Sequence, residues 1–142
     1  LVGNEGMVTG TEGQKYLAFI VREGMRTWDN ELPLMNDAMA SIKVVNCLAM
    51  DYLKTMPDHS IDCVYFDPMF DESILESDGI KALGHFALYK DLNKELIDEA
   101  LRVAKHRVLL KDHYKSKRFE QYGFNVFRRK TAKFHFGVLE KL

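Results

Sequence analysis

Two hydrophobic periods take turns along this chain. Met7-Val8-Thr9-Gly10-Thr11-Glu12 reads as a short strand ending in an acid, after the turn signal Gly3-Asn4-Glu5-Gly6. Leu17, Ile20, Val21, Met25 and Trp28 then recur at helical spacing. They predict an amphipathic helix over 14–28 whose apolar stripe covers a face of a sheet. The polar stretch 30–40, broken by Pro33, predicts a loop with a short helix, 42–46 a second strand, and 50–56 one or two helical turns. Ile61-Asp62-Cys63-Val64-Tyr65-Phe66 predicts a third strand, apolar enough to be covered on both faces and so central. Asp67-Pro68 stops it, because proline cannot donate to a ladder. Residues 71–89, with Gly79 and Gly84, predict a long loop or lid. Asp91 is the expected N-cap of a helix carrying Leu92, Leu96, Ile97, Ala100, Leu101 and Ala104. A strand over 107–111 and a short helix over 116–121, closed by Gly123, follow. The last two strands, 124–129 and 133–140, are joined by Lys130-Thr131-Ala132, a link short enough for an antiparallel hairpin.

Alternation first and a hairpin last predict an α/β fold: a Rossmann-like sheet, mostly parallel, with a C-terminal antiparallel hairpin. The 142 residues are read as a single domain, 1–142. In such sheets the site lies at the carboxyl ends of the strands. That directs attention to Glu12, to Asn46-Cys47-Leu48-Ala49, to Asp67-Pro68-Met69-Phe70 and to Lys111-Asp112-His113.

The composition, 46% hydrophobic and 29% charged, excludes disordered and low-complexity classes. No apolar run has the length of a membrane span, and no signal-peptide pattern opens the chain. Cys47 and Cys63 are too few for a disulfide framework and are expected to be reduced, buried thiols of a cytoplasmic protein. The near-neutral net charge of -1 conceals an asymmetry. Residues 102–142 hold 12 Lys/Arg against 3 acids, and the first 101 residues hold 8 against 18. Aromatics from Tyr114 to Phe136 are interleaved with those cations, as in surfaces that bind polyanions and stack bases. The same pattern also describes strands with one solvated face, which is the commoner case, and counts alone do not locate a surface.

Asp67-Pro68-Met69-Phe70 is the sharpest chemical signal. The Asp67 carboxylate and a nearby carbonyl can accept hydrogens from an amino group, and the Phe70 ring can lie against a planar base. Asp67 can equally cap the backbone of a turn. Glu12 can take the hydroxyls of a ribose, or simply favour a helix start. The five histidines show no close metal spacing, so no metal site is expected. No Gly-x-Ser-x-Gly is present, and neither cysteine has the surroundings of a nucleophile.

The segments Val8-Thr9-Gly10-Thr11-Glu12 and Ile61 to Phe70 resemble those of class I S-adenosylmethionine-dependent methyltransferases. The tetrapeptide Asp-Pro-Met-Phe is similar to that of the bacterial small-subunit ribosomal RNA guanine-N2 methyltransferases and their uncharacterised relatives. The resemblance spans essentially the whole chain. It implies S-adenosylmethionine as cofactor, with Glu12 on its ribose and Cys47, Leu48 and Ala49 lining the adenine slot. It further implies that Asp67 and Pro68 hold the target exocyclic amine, that Phe70 stacks on the target base, and that the substrate is RNA, ribosomal RNA first. The family's first strand and Gly-rich cofactor loop are expected ahead of Met7, so the chain reads as an N-terminally incomplete copy of the domain. Two other readings stay open: a non-catalytic RNA-binding domain with this fold, and a response-regulator receiver domain with Asp67 as phospho-acceptor. A receiver would end on a helix, not on a hairpin.

Overall fold

The computed structural model describes residues 2–3, 5–29, 31–68 and 92–141. They fall into two compact units, one holding the residues up to Tyr52 and the other those from Leu53 onward. No helix of the described residues is long and apolar enough to cross a membrane.

The first unit contains β1 (Thr9–Thr11), α1 (Lys15–Thr27), α2 (Pro33–Ala40), β2 (Lys43–Val45) and the start of α3 (Ala49–Lys54). β1 and β2 pair in parallel, with Thr9 opposite Lys43 and Thr11 opposite Val45. The Gln14 side chain caps α1, accepting from the N–H groups of Tyr16 and Leu17. The stripe expected to lie on a sheet is only partly covered. Ala18 is buried and Leu17 and Met25 are half-buried, whereas Ile20, Val21 and Trp28 are exposed.

The second unit contains β3 (Ile61–Phe66), α4 (Lys94–Val103), β4 (Ala104–His113), α5 (Arg118–Gln121), β5 (Asn125–Phe127) and β6 (Phe134–Glu140). Its sheet has the order β3-β4-β6-β5. β3 and β4 are parallel, while β6 runs antiparallel to both β4 and β5. The expected α/β class, with parallel pairing and a closing hairpin, is therefore present. The hairpin occupies the place where a receiver domain would need a helix.

The central position expected for 61–66 is corrected. Among the described residues β3 is an edge strand bonded only to β4, and Cys63 and Tyr65 are exposed. Element boundaries also move. β4 runs on to His113, so Lys111, Asp112 and His113 lie inside a strand rather than after it. α4 is capped by Asn93, whose side-chain oxygen accepts from the N–H of Leu96 at 2.9 Å. The Asp91 cap, the 71–89 loop and the positions of Met69 and Phe70 lie outside the described residues.

The core forms where β4 meets α4 and the turn after α5. Val108, Leu110 and Asp112 alternate inward from β4, and Ile97, Ala100 and Val103 come from α4. α5 ends as expected at Gly123, which takes a left-handed φ of 72°. The Gly123 N–H donates to Glu120 O and the Phe124 N–H to Phe119 O, which is the Schellman pattern. Phe119 and Phe124 are both buried beside Gly137, where a Cβ would stand only 2.7 Å from Phe119 Cδ1. A side chain at that strand position would force these neighbours to shift.

Candidate functional site

In the first unit the parallel pairing of β1 and β2 brings two predicted segments to the same strand end. Glu12 follows Thr11 and Cys47 to Ala49 follow Val45, and Thr11 and Val45 are register partners. The turn is tied together by Asn46, whose Nδ2 donates to Glu12 O at 2.8 Å and Gly13 O at 3.2 Å. Glu12 Oε1 accepts the Gln14 N–H at 2.8 Å, so the acid does steady the helix entry. Its second carboxylate oxygen has no partner among the described residues. The N–H groups of Leu48 and Ala49 likewise meet no acceptor there. A half-used carboxylate beside two unspent backbone donors fits the ribose and adenine of a nucleoside cofactor. Burial, reinforced by Asp51, pushes the Cys47 thiol up, which suits a packing role better than a nucleophilic one.

In the second unit Asp67 follows β3 directly. Because Phe66 is opposite Leu110 in the parallel ladder, the next residue of each strand is Asp67 and Lys111. Lys111 Nζ donates to Asp67 Oδ2 at 2.9 Å, with both side chains partly exposed. The ammonium also stands 5.5 Å from the centroid of the Phe134 ring. Partial burial and then the Asp67 carboxylate push the Tyr65 phenol up, which keeps Tyr65 a neutral hydroxyl. Asp67 is thus held by a lysine from the neighbouring strand. A carboxylate fixed in this way keeps lone pairs for a further donor.

Cys63, expected to be buried, is exposed. It occupies an outward position of an edge strand. Its thiol is nevertheless raised, partial burial being the largest cause, with Arg107 opposing it.

Sequence reasoning missed a buried polar cluster next to this site. Asp112 is 1% exposed. Its carboxylate accepts from Ser116 Oγ at 2.6 Å, Arg118 Nη1 at 3.0 Å and its own neighbour's His113 N–H at 2.8 Å. A charged residue at an inward position of a strand was the available signal, since such a carboxylate must be paired to be buried. Among the described residues no group of three His, Cys, Asp or Glu side chains is arranged to hold a metal ion.

The family described as "Putative SAM-dependent methyltransferase" matches residues 5–138. The uncharacterised protein YpiP of Bacillus subtilis is 46% identical over 139 residues, which is 98% of this chain and 54% of that protein. The chain thus spans about half the length of this curated relative. Among solved structures, a "putative methylase" of Haemophilus influenzae aligns over 96% of this chain and 66% of its own, with TM-score 0.46 and 17% identity. A "putative methyltransferase", yhhF, of Escherichia coli aligns over 95% of this chain and 62% of its own, with TM-score 0.48 and 14% identity. The family match covers nearly the whole chain, including Glu12, Cys47 to Ala49 and Asp67 to Phe70, so this chain belongs to the S-adenosylmethionine-dependent methyltransferase family.

Proposed function

We propose that this chain carries the methyl-acceptor site of an S-adenosylmethionine-dependent N-methyltransferase acting on an exocyclic amine of a nucleobase in RNA, ribosomal RNA guanine first. The observation that carries the reading is the placement of Asp67, at the carboxyl end of β3, followed by Pro68 and held by Lys111 at 2.9 Å. Glu12 is assigned to the cofactor ribose, and Cys47, Leu48 and Ala49 to the adenine. When bound, S-adenosylmethionine supplies an electrophilic methyl group.

Asp67 accepts a hydrogen bond from the target amine and so aims its lone pair. Pro68 has no N–H, so at this point its backbone offers only a carbonyl acceptor. Positioning accounts for most of the acceleration, because an amine needs no strong base before it attacks. With the cofactor bound, the N–C bond would form as its methyl–sulfur bond breaks and the thioether S-adenosylhomocysteine leaves; the Asp67 carboxylate would offset the positive charge developing on the nitrogen, and the surplus proton would pass to solvent. Phe70 is assigned to stack on the base, which must be single-stranded or leave its stack to reach the site.

The test is transfer of a labelled methyl group from S-adenosylmethionine to total cellular RNA by the natural protein that contains this chain. The modified nucleoside is then identified by mass spectrometry. An N-methylated base, N2-methylguanine first, is the expected product. RNA that is bound but never methylated would favour the non-catalytic RNA-binding reading. Methylation of protein or a small molecule, with RNA untouched, would replace the substrate class.

A further inference from the structure

We infer that the end of the second unit beside Asp67 is an RNA phosphate-binding face, with its main seat in the pocket beneath residues 112–118. This rests on the RNA reading above and locates its polyanion contacts. The sheet register divides the basic third of the chain between two ends. Arg107 is opposite Glu140 and His113 opposite Phe134, so the start of β4 and its finish lie at opposite ends of the sheet.

At the starting end the cations are matched. Lys105 pairs with Asp62 at 2.8 Å, Arg107 with Glu140 at 3.6 Å, and Arg102 with Glu99 and Asp58. Lys141 is spent on the carbonyls of Leu101 and Ala104. The other end is different. Residues 111–133 hold 8 Lys/Arg against 2 acids. One of those acids, Asp112, is buried and bound to Arg118. Lys115, Lys117, Arg128, Arg129 and Lys130 are exposed and make no ion pair among the described residues. The Tyr114 N–H donates to Lys133 O at 3.0 Å, which ties the 114–118 segment to the 128–133 turn.

Beneath this segment is a cavity of about 470 Å³ whose lining includes Lys115, Ser116, Lys117, Arg118 and Tyr122. The buried Asp112 carboxylate fixes Ser116 and Arg118, so part of the wall is set in advance. Two unmatched cations, Lys115 and Lys117, in the lining of a partly fixed polar pocket suit phosphates, and Tyr114 and Phe127 are exposed rings of the same basic stretch of chain. A single strand fits best, because a base must be free of its partner to stack on such rings. The same end carries Asp67, since β3 runs parallel to β4. A strand held here would present its bases to the proposed acceptor site.

The test measures binding of a fluorescent single-stranded 12-nucleotide RNA to the natural protein across a salt series. Lys115→Gln with Lys117→Gln is compared with Lys105→Gln with Arg107→Gln at the other end, and thermal melts check folding of both. The 115/117 pair should weaken binding about tenfold or more and lower the salt slope by roughly 1.4, at about 0.7 per lost phosphate contact. The 105/107 pair should change affinity less than about twofold. Equal losses at both ends, or no loss at 115/117, would overturn the proposal. Preference for a duplex over the single strand would also overturn it. The outcome is separable from catalysis. RNA bound through 115/117 but never methylated sinks the enzymatic reading alone, and RNA methylated equally well by the 115/117 variant sinks this one alone.

Discussion

Lys111 Nζ lies 2.9 Å from Asp67 Oδ2, across two parallel strands whose register places the residues side by side. The ammonium is also poised over Phe134, so three strands converge on one carboxylate. In the proposed reaction Lys111 is a positioning residue: it aims Asp67 and does not itself touch the amine. Lys111→Met should lower kcat by on the order of tenfold to a hundredfold, the scale for misplacing an aligned group. The Kd for S-adenosylmethionine should stay within about twofold, and Lys111→Arg should restore part of kcat. Isothermal titration alongside turnover assays separates these effects. Unchanged kcat in Lys111→Met would remove the lysine from the reaction.

Glu12 divides its carboxylate between the Gln14 N–H and an oxygen with no partner among the described residues. Glu12→Gln keeps one oxygen to accept the helix-entry bond and loses the charge. It should weaken S-adenosylmethionine binding by roughly 1–3 kcal/mol, the range for hydrogen bonds to a charged group. The melting temperature should hardly move. A change in melting temperature with affinity unchanged would reduce Glu12 to its capping role.

Asp58 and Arg102 make a pH-sensitive contact at the far end of the sheet. The Arg102 hydrogen bond, helped by its charge, holds the Asp58 carboxyl below the usual carboxylate range. A depressed folded-state pKa stabilises above the unfolded value, about 3.9, and that stabilisation is lost as pH falls through the folded value. Asp58→Asn should therefore flatten the fall in thermal midpoint below about pH 4 and leave the profile above pH 5 parallel to the parent. Melts across pH 2.5–7, an interval of roughly that width around the carboxylate range, show it. An equally steep acid limb in the variant would exclude the contact.

Gly137 is wedged against Phe119 and Phe124, 2.7 and 2.8 Å from where a Cβ would sit. The second of these atoms is the Phe124 Cβ, which cannot swing aside without moving the backbone. Gly137→Ala should cost about 1–3 kcal/mol, the usual range for overpacking, seen as a lower urea midpoint. An unshifted midpoint would mean that the Phe119–Phe124 corner yields freely.

The sequence was most legible where one local rule acted alone. Strand 61–66 was recovered to the residue because Asp67-Pro68 stops it by a covalent constraint. Gly123 closed α5 because the left-handed turn excludes a Cβ at little cost only for glycine. Where neighbours decide, pattern failed. The apolar run of β3 gave no hint that its ladder has one partner among the described residues, since hydrophobicity reports coverage and not strand order. The Asp67–Lys111 pair depends on a parallel register across 44 positions, which no local period encodes. The sequence pattern places Asp112 beyond a strand end, and only the continuation of β4 to His113 turns it inward. The cation count of the C-terminal third became informative once the register had divided it into a matched end and an unmatched one.

The most direct measurement compares Asp67→Ala with the parent protein for two quantities at once: methyl transfer to RNA and affinity for S-adenosylmethionine. Asp67 is assigned to the amine and not to the cofactor, so transfer should fall to background while the cofactor Kd stays within about twofold. Phe70→Ala in the same assay should weaken RNA engagement by roughly 1–3 kcal/mol, the scale of one base–aromatic stack. Loss of cofactor binding in Asp67→Ala, or turnover retained at the parent rate, would contradict the assignment of Asp67 as the group that holds the target amine.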